Sequence, residues 1–114
     1  MRIQNQTRGT ELASKATAAR TFLSRFRGLM LRASLPPGEA LVLEPCSSIH
    51  TALMRFAIDV VYADRAGHVV KVRPHVKPFR VSAVGRGGYA TIELPSGTVE
   101  QTGTLPGDQL IFQA

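Results

Sequence analysis

From residue 39 to the end the chain is a succession of short apolar runs cut by Gly and Pro: "ALVLEP", "AIDVVYAD", "HVVKVRP", "VSAVG", "YATIELP" and "DQLIFQA". Runs this short, rich in Val and Ile and punctuated at regular spacing, are strands rather than helices. In "AIDVVYAD" the alternation sets Ile58, Val60 and Tyr62 on one face and Asp59 and Val61 on the other. "RAG" at 65–67 is a hairpin turn that sends "HVVKVRP" back alongside, and "RGG" at 86–88 separates two further strands. "TELAS" adds a short strand near the start. "KATAARTFLSRFRGLMLR", residues 15–32, reads differently. Ala19, Phe22, Leu23, Phe26, Leu29 and Met30 recur at spacings of three and four, the apolar stripe of a helix, with Leu29 and Met30 expected to be buried. "SGTVEQTGT" holds one helical turn, capped by Ser96 or Thr98. The expected fold is mostly β (α+β): a compact, rolled or sandwiched, antiparallel-rich sheet with one N-terminal helix and a short C-terminal helical turn. Residues 1–9, "MRIQNQTRG", read as a loose N-terminal segment and 10–114 as a single domain.

Composition narrows the chemistry. With no Trp, five Phe and two Tyr, the core has to be aliphatic. The formal net charge is +6, and most of the basic residues are Arg, the side chain that grips carboxylates and phosphates with two parallel hydrogen bonds. That points to an anionic partner or to a basic surface without a dedicated ligand. The basic residues are dispersed, so a polybasic tail is excluded. One Cys cannot form an internal disulfide. The first twenty residues lack the apolar stretch of a leader, and no segment has the ~20 apolar residues of a membrane span. A cytoplasmic protein is expected.

Polar chemistry concentrates in "PCSSIHTALMRFAID", residues 45–59. Three kinds of site are open to it. Cys46 and His50 form a thiolate–imidazole pair if the stretch coils, and Asp59 is a candidate to orient His50; this is the enzyme alternative, a hydrolase or transferase. A metal site is not expected, because Cys46, His50 and Met54 fall short of a ligand set and Met54 reads as core; no cofactor is expected either. The favoured expectation is a cleft for an anionic or polar small ligand. Ser47, Ser48, His50 and Thr51 would supply hydrogen bonds, and Arg55, Arg25, Arg27 and Lys77 positive charge. Asp59 has a structural alternative as well, pairing with Arg55 or accepting backbone N–H groups. A single-stranded nucleic acid is the rival partner. It would stack on Phe79 beside Arg80 or on Tyr89 near Arg86, though few aromatics are available.

"RFRGLMLR", "PCSSIHTALMRFAIDVVYAD", "VKPFRVS", "ELPSGTVEQTG" and "PGDQL" occur here in one order. In this they resemble the prokaryotic family catalogued as domain of unknown function 192 (DUF192), over residues from about 10 to the end. Ile49-His50-Thr51, Met54 and Ile58-Asp59-Val60-Val61 carry the most specific part, then Gly28-Leu29-Met30. The chain departs from many members at Ala52 and Leu53, where they have bulky aromatics, and at Ala57, where they have proline. The resemblance implies a small β-rich domain and no particular activity.

Overall fold

The computed structural model describes residues 1–20, 34–45, 48–50, 54–83 and 87–114, with 48–50 and 81–83 described by backbone alone. The described elements run β1 (Arg2–Asn5), β2 (Thr10–Ala13), β3 (Lys15–Ala19), β4 (Glu39–Leu43), β5 (Ser48–His50), β6 (Ile58–Ala63), β7 (Val69–Val76), β8 (Val81–Ala83), β9 (Ala90–Pro95), α1 (Thr98–Thr102) and β10 (Leu110–Gln113). They form a five-stranded sheet in the order β3-β4-β9-β6-β7, a three-stranded sheet β10-β1-β2 and a two-stranded pair β5-β8. All pairings are antiparallel except β3 with β4.

The main core lies between the two larger sheets. Ile3, Leu12 and Leu110 from the three-stranded sheet meet Val42, Val61, Ile92 and Leu94 of the five-stranded one, with Val99 of α1 at the edge. A second apolar layer covers the opposite face of the five-stranded sheet: Ile58, Val60, Tyr62 and Val76 pack with Leu35 and Met54, flanked by Leu41 and Phe56. Strand β6 is therefore buried on both faces, which its run of large apolar residues requires. The alternation expected for it is borne out, since Val60 faces one layer and Val61 the other.

The hairpin turn at 65–67 also forms. Gly67 has φ of 86°, and a Cβ there would stand 2.7 Å from the Leu110 carbonyl oxygen, so only glycine lets the turn press against β10. Its carbonyl accepts the Leu110 N–H at 2.8 Å.

Several expectations need correction. The N-terminal helix over residues 15–32 is not borne out: Lys15–Ala19 is strand β3, parallel to β4, and residues 21–33, with Leu29 and Met30, lie outside the described residues. Alanines favour a helix locally, but Ala16 and Ala19 are small enough to pack flat beside β4, and tertiary pairing overrides the propensity. Residues 1–9 are not loose. β1 is the central strand of its sheet, and Ile3 and Asn5, both buried, anchor it. The helical turn exists as α1, but neither Ser96 nor Thr98 caps it; its N-cap is Gly97, with no side-chain cap from its own segment. His75 belongs to β7, at a left-handed φ of 53°.

A buried polar latch closes the three-stranded sheet. Asp108 Oδ2 accepts hydrogen bonds from Arg8 Nε (2.9 Å), Asn5 Nδ2 (3.0 Å) and the Leu105 N–H (3.0 Å). Asn5 also donates to Thr104 Oγ1, while its own Oδ1 accepts the Arg8 N–H. The Arg8 guanidinium, helped by the Asn5 and Leu105 bonds, holds the Asp108 carboxyl down at about 2. The folded value lies below the unfolded one, so the stabilisation is complete above about pH 4 and is lost as pH falls towards 2. Because the Arg8 side chain is 40% exposed, screening leaves about 1–2 kcal/mol. In urea titrations Asp108→Asn should lose this acid limb; an unchanged slope between pH 4 and 2 would show that the latch is not charge-dependent.

Candidate functional site

The segment 45–59 is divided by the fold. Pro45 is exposed at the end of β4, whereas Cys46, Ser47 and Thr51 lie outside the described residues, as do Arg25 and Arg27. Ser48 and His50 belong to β5, in register with Ala83 and Val81 of β8. Met54 is buried in the second apolar layer, as expected of a core residue, and Arg55 is exposed beside it. Lys77 is exposed just past β7. Arg55 and Lys77 share the end of the sheet where Ile58 pairs with Val76, while Pro45 follows Leu43, which reaches the Tyr62 end through Thr91. Along β6, from Ile58 to Tyr62, these ends are roughly 13 Å apart. Arg55 and Lys77 are therefore not brought to the Pro45 end.

Asp59 is fully buried and saturated by backbone. Its Oδ1 accepts the His75 N–H at 2.9 Å; its Oδ2 accepts the N–H groups of Gly97 (3.1 Å) and Val99 (2.8 Å). This is the structural role among those expected for it, and it supplies from β6 the cap that α1 lacks in its own segment. The described imidazole beside Asp59 is that of His75, with Nδ1 at 4.0 Å from Oδ1.

At the Pro45 end an open cleft of about 640 Å³ lies between Pro45, the turn Asp64–Ala66 and Gly87–Tyr89. The Arg65 guanidinium sits over the Tyr89 ring, 4.6 Å from its centroid, a cation–π contact. No acceptor among the described residues takes its N–H donors. Neighbouring Asp64 is engaged in its own turn, with Oδ1 accepting Ala66 N–H (2.9 Å) and His68 N–H (2.8 Å). Gly87 has φ of 85°, and nothing lies within 4 Å of where its Cβ would be, so that wall of the cleft is bare backbone. Sequence reasoning missed Arg65 because charge in a hairpin turn ordinarily means solubility. Its partner is set by the β6–β9 register, where Ala63 meets Ala90 and accepts the Tyr89 N–H.

Glu93 was missed as well. In "YATIELP" it alternates with Ile92 and Leu94 and looks like the solvent face of a strand. But β9 is the middle strand of five, and Glu93, opposite Leu41 and Val60, points into the second apolar layer. It is 3% exposed, and its Oε1 has no hydrogen-bond partner among the described residues. Burial pushes the carboxyl up to about 7. The strand order makes this position special, and no local sequence signal announces it.

Among the described residues no three His, Cys, Asp or Glu side chains are grouped to hold a metal ion, and no helix is long and apolar enough to cross a membrane. Of the two candidates for stacking on a base, Phe79 is 68% exposed beside Arg80, whereas Tyr89 already carries Arg65 on its face.

The family model DUF192, described as Uncharacterized ACR, matches residues 3–112. A UPF0127 protein of Thermococcus sibiricus is 30% identical over 113 residues, covering 96% of this chain and 73% of the relative. One of Pyrococcus furiosus is 32% identical over 111 residues, covering 93% of each. A solved protein of unknown function from Novosphingobium aromaticivorans superposes with a TM-score of 0.84 at 17% identity, over 97% of this chain and 82% of that one. A solved protein of Sinorhizobium meliloti gives 0.85 at 19% identity, over 96% and 89%. At these identities the structural likeness is one of fold alone.

Proposed function

Because the chain belongs to DUF192, a family described without an activity, its function has to come from its own geometry, and we propose that it is a small-ligand-binding domain for an anionic ligand. The observation that carries this is Arg65, held over the Tyr89 ring with no acceptor for its donors among the described residues, in a cleft that Pro45 also lines. A guanidinium fixed by a ring has already lost much of its conformational freedom, so two N–H donors meet a carboxylate or phosphate at low entropic cost. The bare backbone at Gly87 and Gly88 allows close approach. Arg65 takes the neutralising part that the sequence suggested for Arg55.

The test is calorimetric titration with inorganic phosphate and a panel of small mono- and dicarboxylates. The wild type should bind at least one of them. Arg65→Ala should weaken that binding about tenfold to a hundredfold, the worth of a charged hydrogen-bond pair. The thermal midpoint without ligand should stay unchanged, because Arg65 is exposed. Equal affinity in the two proteins would defeat the assignment.

A further inference from the structure

At the end of the sheet away from the Arg65 cleft, three side chains of catalytic type meet. His75 Nδ1 is in contact with Ser96 Oγ, and Asp59 Oδ1 lies 4.0 Å from the same nitrogen. Asp59 ties together the backbones that bear the other two. It accepts the N–H of His75 itself, and the N–H groups of Gly97 and Val99 just after Ser96. His75 is the strained member, at φ of 53° within a strand, a left-handed conformation that is unfavourable for a non-glycine residue. Strain of this kind persists where surrounding contacts over-determine a residue, and the Asp59 bond is such a contact. The pair is accessible: the His75 side chain is 57% exposed and Ser96 is exposed. Ser96 also lines a cleft of about 260 Å³ between Pro95–Thr98 with Gln101 and the facing segments Glu11–Ser14 and Pro37–Gly38.

We propose that Ser96 is a nucleophile and His75 its base, forming an acyl-transfer site for small esters. A nucleophile in contact with a base that a third group orients is the general signature of covalent catalysis. The geometry is not that of the familiar triad, because serine and carboxylate approach the same ring nitrogen. It works as a pair. With the lone pair on Nδ1 and the ring proton on Nε2 towards solvent, Nδ1 takes the Oγ–H proton as Oγ attacks the ester carbonyl carbon. The imidazolium so formed has the Asp59 carboxylate 4.0 Å away to stabilise it. The ester C–O bond then breaks, His75 returns the proton to the departing alcohol, and the acyl group is left on Ser96. Water repeats the sequence: it attacks the acyl carbon, gives a proton to His75, and Ser96 Oγ recovers that proton as the carboxylic acid leaves.

The experiment uses a small alkyl fluorophosphonate, which forms a stable adduct with an activated serine, and maps the modified residue by mass spectrometry. Ser96 should be modified, and Ser96→Ala should lose the adduct without any change in its thermal midpoint. His75→Gly is the sharper variant. Glycine relieves the left-handed strain and keeps the N–H bond to Asp59, so the fold should survive. Labelling of Ser96 should slow by about a hundredfold or more, the usual worth of a general base, and added imidazole should restore part of it. A merely structural His75–Ser96 contact would not be rescued by imidazole. No adduct on Ser96, or equal labelling rates in the wild type and His75→Gly, overturns the proposal.

Discussion

Replacing Asp59 with Ala should lower the folding free energy by about 4 kcal/mol, since a buried N–H left without an acceptor costs roughly 1–3 kcal/mol and three are involved. The three belong to different places. The His75 N–H holds the end of β7, and those of Gly97 and Val99 hold the start of α1. Loss of one carboxylate therefore loosens an edge strand and a helix together, and the three costs are not independent. Against a typical domain stability of about 5–15 kcal/mol this is a large fraction. The Asn variant gives a finer test. It keeps one oxygen, and the best use of that oxygen is to face the two donors Gly97 and Val99, which turns the amide NH₂ towards the His75 N–H. Asp59→Asn should thus speed hydrogen exchange at His75 while Gly97 and Val99 stay protected. Urea denaturation and amide exchange measure the two effects. A cost below about 1 kcal/mol for the Ala variant would mean that water replaces Asp59 without penalty.

That role was half legible in the sequence. Alternation in "FAIDVVY" set Asp59 opposite Ile58 and Val60, and a carboxylate in so apolar a strand had to have partners. The partners themselves came from β7 and the turn before α1, tens of residues away, where no spacing rule reaches. The strands with strong periodicity, β6, β7, β9 and β10, could be read, and so could the turn at Gly67. β3 could not. "KATAA" has helical propensity, and only the parallel register with β4, which matches Ala16 to Ala40 and Ala19 to Leu43, makes it a strand. β1 escaped notice because only one of its two buried residues, Ile3, is apolar, which gives no hydrophobic pattern. For the two sites proposed above the cause is another. The sequence concentrated attention on 45–59, where polar types cluster in order. Arg65 with Tyr89, and His75 with Ser96, are pairs made by sheet register and by a strained strand end. Local chemistry is readable along the chain; chemistry assembled across strands is readable only once the strand order is known.

Glu93→Gln should make the protein more stable than the wild type at pH 8.5, by about 2–3 kcal/mol, and leave the two nearly equal at pH 4.5. The cause is burial without a partner. Glu93 lies between Leu41 and Val60 on a covered sheet face, and its Oε1 accepts no hydrogen bond from the described residues. The low-polarity surroundings penalise the carboxylate and raise its folded value from 4.5 to about 7. The folded value is above the unfolded one, so the folded state holds its proton more tightly. Below pH 4.5 both states are protonated and burial of the charge costs nothing. Between 4.5 and about 7 the unfolded state ionises first, and stability declines as pH rises. Above 7 the full cost is present, roughly 3 kcal/mol from 1.36 kcal/mol per unit. This is the opposite sense to Asp108, whose stabilisation vanishes in acid, so the wild type should be most stable in the mildly acidic range between the two windows. Gln has similar volume and no charge, and it removes the alkaline decline while leaving the acid limb intact. In thermal melts the gain at pH 8.5 corresponds to roughly 10 °C for a domain of this length. Gln brings an unpaired NH₂ of its own, which takes back part of the gain, so Glu93→Leu provides the second measurement: it too should flatten the pH dependence above 4.5. If both variants decline with pH as steeply as the wild type, the titrating group is not Glu93, and its carboxylate has an acceptable partner after all.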